Sequence, residues 1–288
     1  MKNQKSKIKN QNNKLKVKSY CQGQTILLVL LVITVVLTIA LSLITRSITD
    51  VSMSRKIEET NRAFSAAEAG IEESLRLGGV TLSSSNLSNN TSYQVTSTRY
   101  VNLTEFVFPT VTDKDEASQI FLSSYPAYND PYTGTNITVY WGNAACGVST
   151  QAALSVDVIY GEATPFSVKR YAVDPCGRGN GFSNVVGGGG TVGGNNFQFS
   201  KTIDLTGLTG LKFARVRAFY AKTQLGVKND GTAALLPDQG TLLTSQGQIA
   251  PTPGAGSSVV RTVKMYLSHP VLPGIFDYVF YSGAAVTK

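Results

Sequence analysis

The chain carries one histidine, His269, and three cysteines, Cys21, Cys146 and Cys176, so the side chains that most often bind metals or attack substrates are scarce. His269 precedes Pro270 at the end of a β-patterned stretch. It has no second metal ligand beside it and no nucleophile motif that would complete a Ser-His-Asp triad, and it reads as structural. Asp113, Asp115 and Glu116 form a small acidic turn with oxygen ligands of the kind calcium takes, but without the Gly and distal Glu of an EF-hand it reads as a solvated turn. The tract from Gly187 to Gly194 has phosphate-loop composition without the Gly-Lys-Ser/Thr ending or a following helix, and reads as a flexible loop. Phe213, Arg215, Arg217 and Phe219 alternate onto one strand face, a basic-aromatic strip of the kind that stacks on bases and contacts phosphates. Isolated in a near-neutral domain, it reads as an ordinary exposed face, and nucleic acid is not an expected partner. No catalytic residue, metal or cofactor is expected, and an enzyme is the weakest reading.

The elements that carry these residues are set by charge and hydropathy. Residues 1–23 hold seven lysines (Lys2, Lys5, Lys7, Lys9, Lys14, Lys16 and Lys18) and no acid; of the 26 basic residues, 19 then remain against 18 acidic ones. The net charge of +8 is therefore almost entirely N-terminal, and no basic nucleic-acid-binding domain is implied. From Ile26 to Ile44 the sequence has no charge, Gly or Pro, and 15 of its 19 residues are Leu, Ile or Val. As a helix this run would be about 28 Å long, close to a hydrocarbon core of ~30 Å. Those 15 side chains favour insertion by about 5–9 kcal/mol. The lysines place the N-terminus in the cytoplasm by the positive-inside rule, with residues 46–288 outside. The rival reading is a cleaved secretory signal with a small-x-small site at Ala40-Leu41-Ser42. The apolar run is longer than an ordinary h-region and passes without a turn-forming residue into further helical sequence.

Beyond Ile44, apolar positions Ile48, Val51, Phe64, Ala67, Ile71 and Leu75 fall largely at intervals of three or four, while Arg55 with Glu59, Glu58 with Arg62 and Glu72 with Arg76 stand four apart. The first stop signal is Gly78-Gly79. One helix is expected from about Thr25 to Leu77, roughly 80 Å long, transmembrane over about 26–44 and amphipathic to 77. Its own chain is too short to cover it, which calls for lateral partners. Thr34, Thr38, Ser42, Thr45 and Thr49 form a hydroxyl stripe along it. Such a stripe either lets helices approach and hydrogen-bond to one another, or bonds its own helix carbonyls one turn back; both readings stand.

A basic leader ending in Gly23, followed by Gln24-Thr25-Ile26-Leu27-Leu28 and an unbroken apolar helix, resembles the class III signal of type IV prepilins. Asn61-Arg62-Ala63-Phe64-Ser65-Ala66-Ala67-Glu68-Ala69-Gly70-Ile71-Glu72 is similar to the segment that closes the N-terminal helix in PilX-type minor pilins and related pseudopilins. The resemblance covers about residues 20–77. It implies a precursor cut after Gly23 by a prepilin peptidase, methylated on the new N-terminus at Gln24, and assembled with other pilin-like subunits by inner-membrane pilus assembly machinery. Major pilins usually begin with Phe and carry Glu at the fifth mature position; here these are Gln24 and Leu28. A buried carboxylate needs a partner in lipid, so Leu28 suits a minor, tip or initiating subunit, unless the whole lineage uses Leu there.

Past the helix, Thr81–Ser92 is rich in Ser, Asn and Thr and reads as a connecting loop, and period-two alternation then dominates. The expected class is α+β: residues 1–23 a leader, 24–77 the N-terminal helix, 78–91 a linker, and 92–288 a β-rich exported domain, with a possible division near the glycine tract. Loss of Cys21 with the leader would leave Cys146 and Cys176. If Asn136–Gly142, Ala153–Tyr160 and Phe166–Val173 form an antiparallel meander, both cysteines lie at one end, and a disulfide is expected there; two unrelated buried thiols are the alternative. The expected role is structural, in a type IV pilus or type II secretion-like filament at the cell surface. The alternative is a single-pass membrane-anchored surface binding or adhesion module that does not polymerise.

Overall fold

A computed structural model describes residues 22–87, 90–185, 188–231, 233–249 and 258–271. Residues 1–21, with the seven N-terminal lysines and Cys21, lie outside the described residues, as does Gly187 of the glycine tract. Helix α1 (Gln22–Arg76) comes first, then β1 (Leu82–Asn86), β2 (Thr91–Arg99), β3 (Glu105–Val107) and β4 (Ala117–Phe121). The middle of the chain forms β5 (Asn136–Trp141), β6 (Ala153–Tyr160), β7 (Ser167–Asp174) and β8 (Ser183–Asn184). Next come β9 (Gly190–Val192), β10 (Asn195–Phe197), β11 (Phe199–Asp204) and β12 (Leu211–Phe219). Strands β13 (Leu225–Lys228), β14 (Thr241–Ile249) and β15 (Val259–Leu267) follow. One long apolar helix with a β-rich remainder makes the chain α+β.

The contacts divide the chain into two units, one ending at Glu59 and one starting at Thr60. The boundary falls inside α1, so the last turns of the helix belong with the sheets. The glycine tract does not divide the β-rich part: all the sheets fall in the second unit.

Among the described residues the strands form sheets in the orders β1-β2-β14-β15, β11-β5-β13-β3 and β4-β12-β6-β7-β8, with β9 and β10 as a separate hairpin. Period-two alternation explains the core. Ile137, Val139 and Trp141 on β5, and Leu154, Val156 and Val158 on β6, are fully buried in one cluster with Val216 of β12 and Val227 of β13. The Trp141 indole donates to the Ala152 carbonyl at 2.9 Å, so its one polar atom is satisfied inside that core.

Three expectations are corrected. Strands β6 and β7 pair as an antiparallel hairpin, but β5 is not their neighbour; it pairs with β11 and β13 in a different sheet. The meander fails because alternation marks which face of each strand is buried and does not say which strand lies beside it. Thr81–Ser92 is not simply a loop, since β1 pairs with β2 there. Hydroxyl groups tie this polar edge down: Thr81 Oγ1 accepts from the Ser97 N–H at 3.0 Å, and Ser97 Oγ donates to the Gly79 carbonyl at 2.6 Å. From Gly190 onward the glycine tract is part of a β-hairpin rather than a loose loop. Gly193 and Gly194 both have positive φ, 51° and 79°, as a tight two-residue turn requires, and Val192 beside them is fully buried.

Candidate functional site

The features that could serve a function converge on α1. At 55 residues it is about 83 Å long. Every residue from Thr25 to Glu58 is exposed, including all 15 Leu, Ile and Val side chains between Ile26 and Ile44. By length and composition this helix can cross a membrane. Exposed apolar surface on this scale is unfavourable in water and needs lipid or other helices to cover it. Gly23 and Gln24 have helical backbone within the first turn, and Leu28 is exposed on the apolar segment.

The hydroxyl stripe takes the self-bonding arrangement. Thr34 Oγ1 donates to the Leu31 carbonyl and Thr38 Oγ1 to the Val35 carbonyl, both at 2.8 Å, while Thr45 and Thr49 donate to Leu41 and Thr45 at 2.8 and 2.9 Å. These hydroxyls are thereby satisfied without a partner helix. Ser42 is exposed on the same segment.

The other end of α1 is built differently. Ala63, Ala66, Ala67, Gly70, Ile71 and Ser74 are buried, at helical spacings of three, one, three, one and three. They face β14 and β2. A Cβ added to Gly247 on β14 would lie 2.0 Å from the Ala63 carbonyl oxygen and 2.4 Å from the Ala67 nitrogen. A Cβ on Gly70 would likewise meet Ser245 Oγ at 2.4 Å and the Tyr93 ring at 2.9 Å. Helix and strand backbones thus touch across a row of the smallest residues. The same sheet face supplies Arg261 of β15, whose Nη2 donates to Thr60 Oγ1 at 3.3 Å where this unit begins.

The Ala-Gly-rich segment of the sequence therefore seats the helix on its own sheet. Sequence periodicity found half of this face: Ala67 and Ile71 are buried, but Phe64 is 45% exposed and Leu75 37%. The missed signal was the recurrence of Ala and Gly, rather than of large apolar residues, at helical spacing.

The helix stops where the glycines predict. The Gly79 N–H bonds the Ser74 carbonyl at 2.7 Å and the Gly78 N–H bonds Leu75 at 3.0 Å, with Gly78 at φ 89°, which is a Schellman end. Ser74 Oγ donates to the Val80 carbonyl at 2.6 Å, carrying the chain into β1. Arg76 pairs with Glu73, at 2.6 and 2.8 Å, rather than with Glu72. That hydrogen bond holds the Glu73 carboxyl below its ordinary value.

Cys146 and Cys176 are joined in a disulfide, with Cα atoms 5.5 Å apart. Beside it Asp174, 1% exposed, accepts from the Cys176 N–H at 2.9 Å, from Arg178 Nη1 at 2.8 Å and from Asn180 Nδ2 at 2.8 Å. Arg178 also donates to the Gln151 carbonyl at 2.6 Å and lies 4.4 Å over the Tyr220 ring. A buried carboxylate with three donors, one of them cationic, is fully compensated, and it clamps the same end of the fold as the disulfide.

The remaining chemical candidates disperse. Strand β12 is flanked by β4 and β6, and Arg215 is 6% exposed in register with Gln119 and Asp157; the Phe213, Arg215, Arg217, Phe219 strip is therefore not the exposed face expected from alternation. Asp157 in turn accepts from Arg170 Nε at 2.5 Å. His269 stacks on Tyr125 at 5.0 Å, meets Phe121 edge-on at 4.9 Å, and places Nε2 3.5 Å from Asp238 Oδ2. Asp115 has φ 65° and its N–H bonds the Ala218 carbonyl at 2.7 Å, so the acidic turn is part of the approach to β4. Among the described residues no group of three His, Cys, Asp or Glu side chains is placed to hold a metal ion. Comparison with family models, with curated proteins and with solved structures finds no match.

Proposed function

We propose that this protein is a structural subunit of a type IV pilus or type II secretion-like filament, processed after Gly23 and assembled through α1. The single observation behind the reading is that α1 is two helices in one. Its last turns are seated on a sheet by small residues, while Ile26–Ile44 presents an uncharged, largely Leu, Ile and Val surface that is exposed along its whole length. A filament of such subunits would bury that surface in a bundle of neighbouring helices and display the β-rich part outside. Before assembly the lipid bilayer would cover it, with the lysine-rich leader in the cytoplasm and the β-rich part beyond the membrane. Leu28, where major pilins carry Glu, supports a minor or tip position.

The competing reading is a single-pass surface module that stays in the membrane. Mass spectrometry of the mature N-terminus in a host that carries a prepilin peptidase separates the two. A methylated Gln24 terminus is expected, and Gly23→Arg should block its appearance. An intact Met1 in the wild-type protein would favour the simple anchor, and a start near Leu43 would mark a cleaved secretory signal.

A further inference from the structure

A cleft of about 580 Å³ opens between β3 and the face of β14 and β15 that looks away from the helix. Its apolar wall is one connected group of rings. Phe106 meets Tyr100 at 5.1 Å and Phe108 at 4.8 Å, both edge-on, and Tyr266 at 6.3 Å. The Tyr266 hydroxyl donates to the Gln239 carbonyl, which fixes that ring against the others. Burial pushes its phenol well above the ordinary value, so the hydroxyl keeps its proton.

The polar wall is sparse. Gln224 is held in place by donating Nε2 to the Phe108 carbonyl, and Asn195 projects from the β9–β10 hairpin at the rim. Glu105 and Lys264 are the charged residues lining the cleft. Glu105 is already engaged: Oε1 accepts the Gly193 N–H at 3.0 Å and Oε2 lies 3.2 Å from Lys228 Nζ. Lys264 has no such carboxylate among the described residues, so the cleft carries one uncompensated positive charge.

A pyranose ring has an apolar C–H face and a rim of hydroxyls, which is what fixed aromatic rings beside a few amides are suited to hold. The volume suits one or two such rings. A peptide adding a strand along β3 would find only three residues before Pro109, which has no N–H to give. We propose that this cleft binds a carbohydrate bearing a carboxylate, the sugar face against Tyr100 and Tyr266 and the carboxylate on Lys264. The proposal is independent of whether the chain polymerises.

The test is titration of digalacturonate, with lactose as the uncharged control, into the full-length chain in a sugar-free detergent, followed by saturation-transfer NMR and calorimetry. Digalacturonate should bind about tenfold more tightly than lactose, and Lys264→Gln should remove that advantage, as the loss of one charge-assisted hydrogen bond predicts. Lys264 lies on the exposed side of β15, so the variant is expected to fold. No binding of digalacturonate, equal binding of lactose, or an affinity unchanged in Lys264→Gln would each overturn the proposal. So would binding of the strand-forming peptide Val-Thr-Val-Thr in competition with the sugar.

Discussion

Gly247 and Gly70 matter for their missing side chains rather than for backbone freedom. Gly247 is extended, but a methyl group there would collide with the helix backbone at Ala63 and Ala67, which cannot move as a side-chain end would. Gly247→Ala should destabilise the β-rich unit by about 1–3 kcal/mol, as overpacking usually does. Gly247→Val should cost more and expose the Ala63–Ala67 turns to protease; denaturant unfolding with limited proteolysis checks both, and a neutral Gly247→Val would refute the close contact. The sequence alone shows these residues only as small. Their partners lie far along the chain, so no local pattern identifies the collision. Asp174 is a similar case. Its carboxylate is buried with Arg178, so Asp174→Ala should cost about 3–5 kcal/mol by leaving the guanidinium without its partner.

Helix α1 was the most legible element, because a run of Leu, Ile and Val, a glycine stop and the absence of proline act locally. Its ends match the sequence reading to within a few residues, Gln22 and Arg76 against about Thr25 and Leu77. Its last turn carries a pH-dependent contact. Because Arg76 lowers the Glu73 pKa, the stabilisation is present above the ordinary carboxylate value and is lost as pH falls through the depressed one. Fraying of the helix end on acidification below about pH 4 is expected, visible as faster amide exchange at Leu77 to Gly79 and absent in Glu73→Gln. The strands were less legible. Burial of Ile137, Val139 and Trp141 follows from alternation, whereas the placement of β5 between β11 and β13 does not. The expectation of an exposed Arg215 failed for the same reason, since a strand's exposure depends on its neighbours and on what lies over each face.

For the molecule as a whole, the disulfide closes a separation of 30 residues, joining the connection between β5 and β6 to the one between β7 and β8. Removing it with Cys146→Ser and Cys176→Ser should lower stability by about 3–4 kcal/mol by releasing entropy in the unfolded chain. Urea unfolding of the oxidised and variant proteins measures this, and an unchanged midpoint would show that the Asp174 network suffices alone. The net charge of +8 belongs almost wholly to residues 1–23, so it does not describe the β-rich part, which is nearly neutral. By itself the sequence determined the long helix, its apolar half, its stop at Gly78-Gly79 and the inward face of the main strands, because each depends on residues a few positions apart. Only the tertiary structure decided which strands pair, that the helix seats on β14 through glycine and alanine, and that Lys264 and Tyr266 line a cleft with β3. These are contacts between residues as much as 184 positions apart, Ala63 and Gly247, and nothing in local propensity or periodicity encodes them.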